Sequence, residues 1–297
     1  MSLFNIFITR DDILKTIIEQ CNSLLIDDYK DCDIDTFITT GDKEVFLGEN
    51  SGIIHALIAK GPKYNYLLSK LFSNSLVDIN FTTKMGSSYL HIACYFGKIE
   101  IVKLLLNHPD IDVNMKLSDG HTALMMSSDI NIKKLLLNHP DIDVNAVNKY
   151  METILYIESF EDNNEIVDIL LSHPNIDVNA ANENNVSPLM NACEFGNINV
   201  VYSLLNHPDI DVNMQDIKGL TALMVVVSNQ NINIVKLLLR HKNININILN
   251  NNRKNVILIA KSNLDRTIIF HNERFNTPYT NNVRNIMKLL IEYSNSH

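Results

Sequence analysis

The sequence predicts an all-α solenoid of stacked helix-turn-helix units joined by short β-hairpin or turn fingers. Three observations carry that expectation. The phrase HPDIDVN recurs at His108–Asn114, His139–Asn145 and His207–Asn213, with HPNIDVN at His173–Asn179 and a worn HKNININ at His241–Asn247. The closing asparagines fall at 114, 145, 179, 213 and 247, in steps of 31, 34, 34 and 34, and Asn80 of VDIN lies another 34 earlier. Between these phrases stand two short runs of helical apolar spacing. A fixed period in this range marks supersecondary units that bury their apolar faces only by stacking.

Residues 180–213 show how one unit is built. The polar opening AANENNV has no helical period and reads as a finger. Ser187 is an N-cap, and Pro188 takes the first helical position, where its missing N–H costs nothing. Leu189, Ala192 and Cys193 form an apolar stripe at i, i+3, i+4, and Gly196 ends the helix as a C′ glycine does. The second helix carries Ile198, Val200, Val201, Leu204 and Leu205 until His207-Pro208 stops it. Asp209–Asn213 then runs extended into the next finger.

The same reading divides the array into 48–80, 81–114, 115–145, 146–179, 180–213, 214–247 and 248–297. The unit at 115–145 is three residues short, and the gap falls between its helices, where Ser128 runs into Asp129. Its first helix should be clipped and the site soft. In the last unit about 18 extra residues, roughly 265–282, precede a closing helix over Val283–Tyr293. These read as a surface loop, or as a docking loop bearing Arg266, His271, Arg274 and Phe275. Residues 1–47 do not fit the repeat. They read as an N-terminal helical cap, with an amphipathic helix over Asp11–Leu25, or as a partner-binding segment.

Composition narrows the function classes. The net charge of −9 repels phosphate backbones and argues against nucleic acid. No 18-residue apolar run offers a membrane span, and the first residues lack the basic region and cleavage site of a signal peptide. With Ser at position 2, N-myristoylation is not expected. Cysteines 21, 32, 94 and 193 have no metal or redox spacing. Cys94 and Cys193 follow alanines at one repeat position and read as small buried hydrophobes, which fits a reducing compartment. The 41 asparagines read as compositional drift, as in an AT-rich genome, and not as a prion-like tract.

The repeat resembles the ankyrin family, whose first helix opens T-P-L-H-x-A within a 33-residue unit. The matching stretches are Ser88-Tyr89-Leu90-His91-Ile92-Ala93, Thr122-Ala123-Leu124-Met125, Thr153-Ile154-Leu155-Tyr156, Ser187-Pro188-Leu189-Met190 and Thr221-Ala222-Leu223-Met224. The second-helix pattern IVKLLL stands at 101–106 and 234–239. The family's inter-helix glycine is present at Gly97 and Gly196, and its hairpin glycine at Gly86, Gly120 and Gly219. Its histidine survives at His91 and His55, and methionine or tyrosine replaces it elsewhere. Pro-Asp-Ile in place of Gly-Ala adds the residue that lengthens the period to 34. The asparagine-rich style is similar to ankyrin proteins of giant DNA viruses of amoebae.

The resemblance implies a concave binding face made of fingers and the exposed side of the first helices. Mapped here, the finger tips are Lys84-Met85, Ser118-Asp119, Lys149-Tyr150, Glu183-Asn184, Ile217-Lys218 and Asn251-Asn252. The helix ends are Tyr95-Phe96, Phe160-Glu161, Glu194-Phe195 and Ser228-Asn229. Tyr95, Phe96, Phe160 and Phe195 are aromatic where burial is not required. They read either as binding hot spots or as rings folded back over the helix ends.

Chemical sites are not expected. The histidines at 108, 139, 173, 207 and 241 sit one per unit, about 8–10 Å apart, too far to share a zinc. Each is expected beside the last carbonyls of its own helix. The DID aspartates alternate along an extended segment and read as solvated turn residues. No nucleophile, phosphate-loop or metalloprotease motif appears, so neither catalysis nor a cofactor is expected. The expected function is a monomeric, cytoplasmic scaffold (host cytoplasm if viral) that binds another protein through the concave face. The alternatives are an adaptor that recruits a second machine, such as a ubiquitin ligase, through 1–47, and an inhibitory binder.

Overall fold

The computed structural model describes residues 53–73, 77–161, 163–270 and 278–296. The expected N-terminal segment 1–47 lies outside them, as do Cys21, Cys32, His271, Arg274 and Phe275. The described chain is all helix and turn, with no strand. The fingers are turns, and the finger at 82–88 is closed by an isolated antiparallel bridge between Thr82 and Ser88.

The helices come in pairs: α1 (Ile53–Lys60) and α2 (Asn65–Phe72), joined by a 3-10 turn at Pro62–Tyr64; α3 (Tyr89–Tyr95) and α4 (Ile99–Leu106); α5 (Ala123–Met126) and α6 (Ile130–Leu137). Then follow α7 (Ile154–Phe160) and α8 (Asn164–Leu171); α9 (Pro188–Phe195) and α10 (Ile198–Leu205); α11 (Ala222–Asn229) and α12 (Ile232–Leu239); α13 (Val256–Phe270) and α14 (Pro278–Ser296).

These described residues form two compact units. One takes those up to Ser118 together with Met126–His139, and the other takes Asp119–Met125 together with those from Pro140 onward. In the first, α1 packs on α3, α2 on α4 and α4 on α6. In the second, α7, α9, α11 and α13 form one row and α8, α10, α12 and α14 another. First helices therefore stack on first helices and second on second, the arrangement a translational repeat dictates.

The helix starts follow the predicted caps. Ser88, Thr122, Thr153, Ser187 and Thr221 each accept, through the side-chain hydroxyl, the N–H three residues on, at 3.2–3.5 Å. At α3 the cap is reciprocal, because His91 Nδ1 takes the Ser88 backbone N–H and lies 2.8 Å from its hydroxyl. This explains why histidine suits the slot. The core is the apolar stripe of each helix, for example Leu90, Ile92 and Ala93 on α3, Ile101, Val102 and Leu105 on α4, and Ile234, Val235 and Leu238 on α12. Cys94 and Cys193 are buried, and that burial pushes both thiols well above their ordinary range.

The asparagines have structural work that drift does not describe. Asn80 donates from Nδ2 to the Asp110 carbonyl at 2.7 Å and accepts from the Asp112 N–H at 2.9 Å. Asn145 repeats this clamp on Asn175 and Asp177, Asn179 on Asp209 and Asp211, and Asn213 on Asn243 and Asn245. Each reaches 30 and 32 residues ahead into the next repeat. The second aspartate of DID is likewise engaged: Asp112, Asp143, Asp177 and Asp211 accept the N–H of the asparagine two residues on. The repeat histidines lie beside the last carbonyls of their helices, as expected: the backbone N–H of His108, His139, His173, His207 and His241 donates to the carbonyl three residues back at 3.0–3.1 Å. In addition, His108, His173, His207 and His241 turn Nδ1 forward to accept the N–H two residues on.

The short unit is clipped as expected. Helix α5 has four residues, and Asp129 restarts the chain by accepting the N–H groups of Asn131 and Ile132. The extra residues of the last unit depart from the loop expectation: 265–270 continue α13, and α14 already begins at Pro278.

Candidate functional site

The fingers are built by side chains bonded to their own backbone. Asn148, Asn182, Asp216 and Asn250 each accept two N–H groups, two and four residues ahead, through one Oδ1. This local turn competes with any helix and sets the tip. A left-handed residue then closes each finger: Gly86, Gly120, Met151, Asn185, Gly219 and Arg253 all have φ between 55° and 85°. At Gly120 a side chain is excluded twice over, because a Cβ would also lie 2.8 Å from the Lys149 nitrogen.

Neighbouring tips are tied by backbone bonds. In the first unit Ser118 N–H donates to the Met85 carbonyl at 3.0 Å. In the second, Lys149 donates to Asp119, Glu183 to Tyr150, Ile217 to Asn184 and Asn251 to Lys218, at 2.8–3.1 Å. Every predicted tip residue therefore sits at a turn, and Lys84, Met85, Lys149, Tyr150, Glu183, Asn184, Ile217 and Lys218 are all exposed.

The helix ends behave similarly. In the first unit Tyr95 is 41% exposed and meets Phe96 edge to face at 5.1 Å, with Phe96 half-buried. In the second, Phe160 ends α7 and Phe195 ends α9; they are 47% and 53% exposed and lie edge to face, 4.5 Å apart and 88° between planes. The rings thus pair with one another, Tyr95 with Phe96 and Phe160 with Phe195. Asparagines satisfy the carbonyls at these ends. Asn197 Nδ2 donates to Ser159 and Phe160, and Asn229 Nδ2 to Glu194. Lys149 Nζ lies 4.8 Å from the Tyr150 ring centroid, within cation–π range.

Glu161 caps α7 and Glu194 lies in the last turn of α9, both exposed. Tyr156, on α7, has its phenol pushed above the ordinary value by burial first, then by the carboxylates of Glu152 and Glu194, against a hydrogen bond from Asn182. Sequence reasoning missed Glu152, Tyr156 and Asn182. Their signal was the tyrosine in the slot where the repeat usually has histidine.

An open groove in the first unit is lined by Phe72, Val77, Leu104, His108 and Asn80, whose amide is already engaged by the clamp. Among the described residues no three His, Cys, Asp or Glu side chains converge on a metal position, and no helix is long and apolar enough to cross a membrane.

Paired helices, tied tip to tip and repeat to repeat within each compact unit, define a helical repeat protein. The family model for ankyrin repeats (three copies) matches residues 49–148, 128–216 and 189–270, and the chain belongs to that family, whose members typically serve as protein–protein interaction modules. Among solved structures it is similar to the ankyrin repeat domain of Bcl-3, described as a unique member of the IkappaB protein family. The TM-score is 0.63 at 22% identity, over 69% of this chain and 92% of that one. That likeness speaks to the fold. No curated protein sequence matches the chain.

Proposed function

We propose that this chain is a non-catalytic scaffold that holds another protein on its finger tips and on the exposed ends of its first helices. The observation that carries this is the Phe160–Phe195 pair: two half-exposed rings from successive repeats, fixed at 4.5 Å. Rings of this size held at exposed positions are what interface hot spots use. The tip-to-tip bonds keep the flanking side chains in register, so little freedom is lost on binding. Met85, Tyr95, Phe96, Tyr150 and Ile217 extend the apolar part in their own units, with Lys84, Lys149, Glu161, Glu183, Asn184, Glu194 and Lys218 as polar neighbours. A net charge of −9 favours a protein partner over nucleic acid. The proposed setting is the cytoplasm, a host's if the asparagine-rich style reflects a viral source.

The test is affinity capture with mass spectrometry, wild type against a variant with Tyr95, Phe96, Phe160 and Phe195 all changed to Ala. The expected result is a folded variant, by circular dichroism, that loses specific partners. Capture of the same partners at the same yield would overturn the proposal.

A further inference from the structure

The surface around the second aromatic pair carries a chemical bias that the fold does not require. Glu161 stands at the C-cap of α7 and Glu194 in the last turn of α9. Helix C-termini carry partial negative charge, so carboxylates there are disfavoured and a cation nearby is favoured. The carbonyls are capped by neutral asparagines, Asn197 and Asn229. Among the described residues no lysine or arginine pairs with Glu161, Glu183 or Glu194. Glu161 directly follows Phe160 at the end of α7, and Glu194 directly precedes Phe195 at the end of α9, and the two rings meet edge to face. An edge-to-face pair leaves the faces of the edge-on ring uncovered by its partner, and exposed ring faces attract guanidinium and ammonium groups. The molecule makes such a contact at a finger tip, Lys149 over Tyr150, which engages that lysine within the chain itself.

We propose that the Phe160–Phe195 pair, flanked by Glu161 and Glu194, receives a cationic, arginine- or lysine-bearing segment of the partner protein. This rests on the protein-binding reading above and names the chemistry of the partner. The rings take the planar or methylene part of the side chain, the carboxylates its charge, and the two helix ends add to the field. Arginine fits better than lysine, because a guanidinium can stack on a ring while its N–H groups reach a carboxylate.

The probe is a fluorescein-labelled eight-residue peptide of alternating Arg and Gly, with a citrulline-for-arginine control, followed by anisotropy on the full chain. The expected result is salt-sensitive binding of the arginine peptide and none of the citrulline peptide. Binding should weaken up to roughly tenfold in E161Q/E194Q, which removes two surface ion pairs, and roughly tenfold in F160L/F195L, which removes two exposed cation–π contacts. E100Q, on α4 of the first unit, should leave it unchanged. No binding of the arginine peptide, or equal weakening by E100Q, would overturn the proposal and assign any attraction to net charge. The two readings fail separately. If affinity capture depends on the rings but E161Q/E194Q retains every partner, the scaffold reading stands and the cationic-segment proposal falls.

Discussion

His55 on α1 is the buried titratable group whose setting fixes a pH response. It is fully buried, donates from Nε2 to the Ser87 carbonyl at 3.0 Å, and packs 4.5 Å from the Tyr89 ring. Burial first, then repulsion from His91, lowers its pKa from 6.5 to about 4, against the opposing effect of the Ser87 hydrogen bond. The unfolded chain therefore binds a proton near pH 6.5 that the folded chain refuses until about pH 4. Stability from this residue is complete above 6.5 and is lost as pH falls across that window. The loss totals about 3 kcal/mol. His55→Gln keeps a donor but does not titrate, so urea denaturation of wild type and variant at pH 7.5 and 4.5 isolates the effect. The gap between them should narrow, or reverse, at the lower pH. Glycine gives a second contrast. Gly120→Ala forces a side chain into a left-handed turn and against the Lys149 backbone, whereas Gly97 (φ 64°) faces open space. The first should cost more than about 2 kcal/mol and the second about 1, read from the same denaturation curves.

At the scale of the helices, apolar period, caps and breakers made the pairs readable from sequence. Ser187-Pro188 and Thr221-Ala222 announce a helix start by local chemistry, and His207-Pro208 announces a stop. The asparagine clamp was not readable, because its partners lie 30 and 32 residues away and a single amide gives no local sign of them. The forward turn of the repeat histidines was missed for a related reason: it depends on which way a ring rotates after the helix ends. The continuation of α13 through residue 270 is not legible in the sequence, because the extra residues break the repeat period whereas 265–270 lengthen a helix already begun. Helix α5 was read correctly, and its four residues make few internal bonds. Its amides should exchange with deuterium faster than those of α9 or α11, and equal protection would refute the soft point. Leu238, fully buried on α12, anchors the opposite case. Leu238→Ala should cost about 2–5 kcal/mol by leaving a cavity, with faster exchange appearing first in α10, α12 and α14, the neighbours in its row.

For the whole molecule, membership in a repeat family set the architecture, and the candidate surface followed from it by position. The fingers and helix ends were located because a period tells where each slot falls. What the slots do together was not legible: that Phe160 and Phe195 meet edge to face, and that Glu194 and Glu152 both act on Tyr156, depends on packing across two repeats. The clamp carries one more consequence. Asn179 holds Asp209 and Asp211, and Asn213 holds Asn243 and Asn245, at the same two offsets. Excision of 180–213 would bring Asn243 and Asn245 to where Asp209 and Asp211 stood, and the joint would close again. Excision of half that span would leave an amide facing the wrong groups. The shorter chain from the full excision should keep its helical circular dichroism and a cooperative melt, and the half excision should lose both. Such a chain can grow or shrink by whole modules, as a zip fastener is cut to length, with each new seam already supplied with its own fastening.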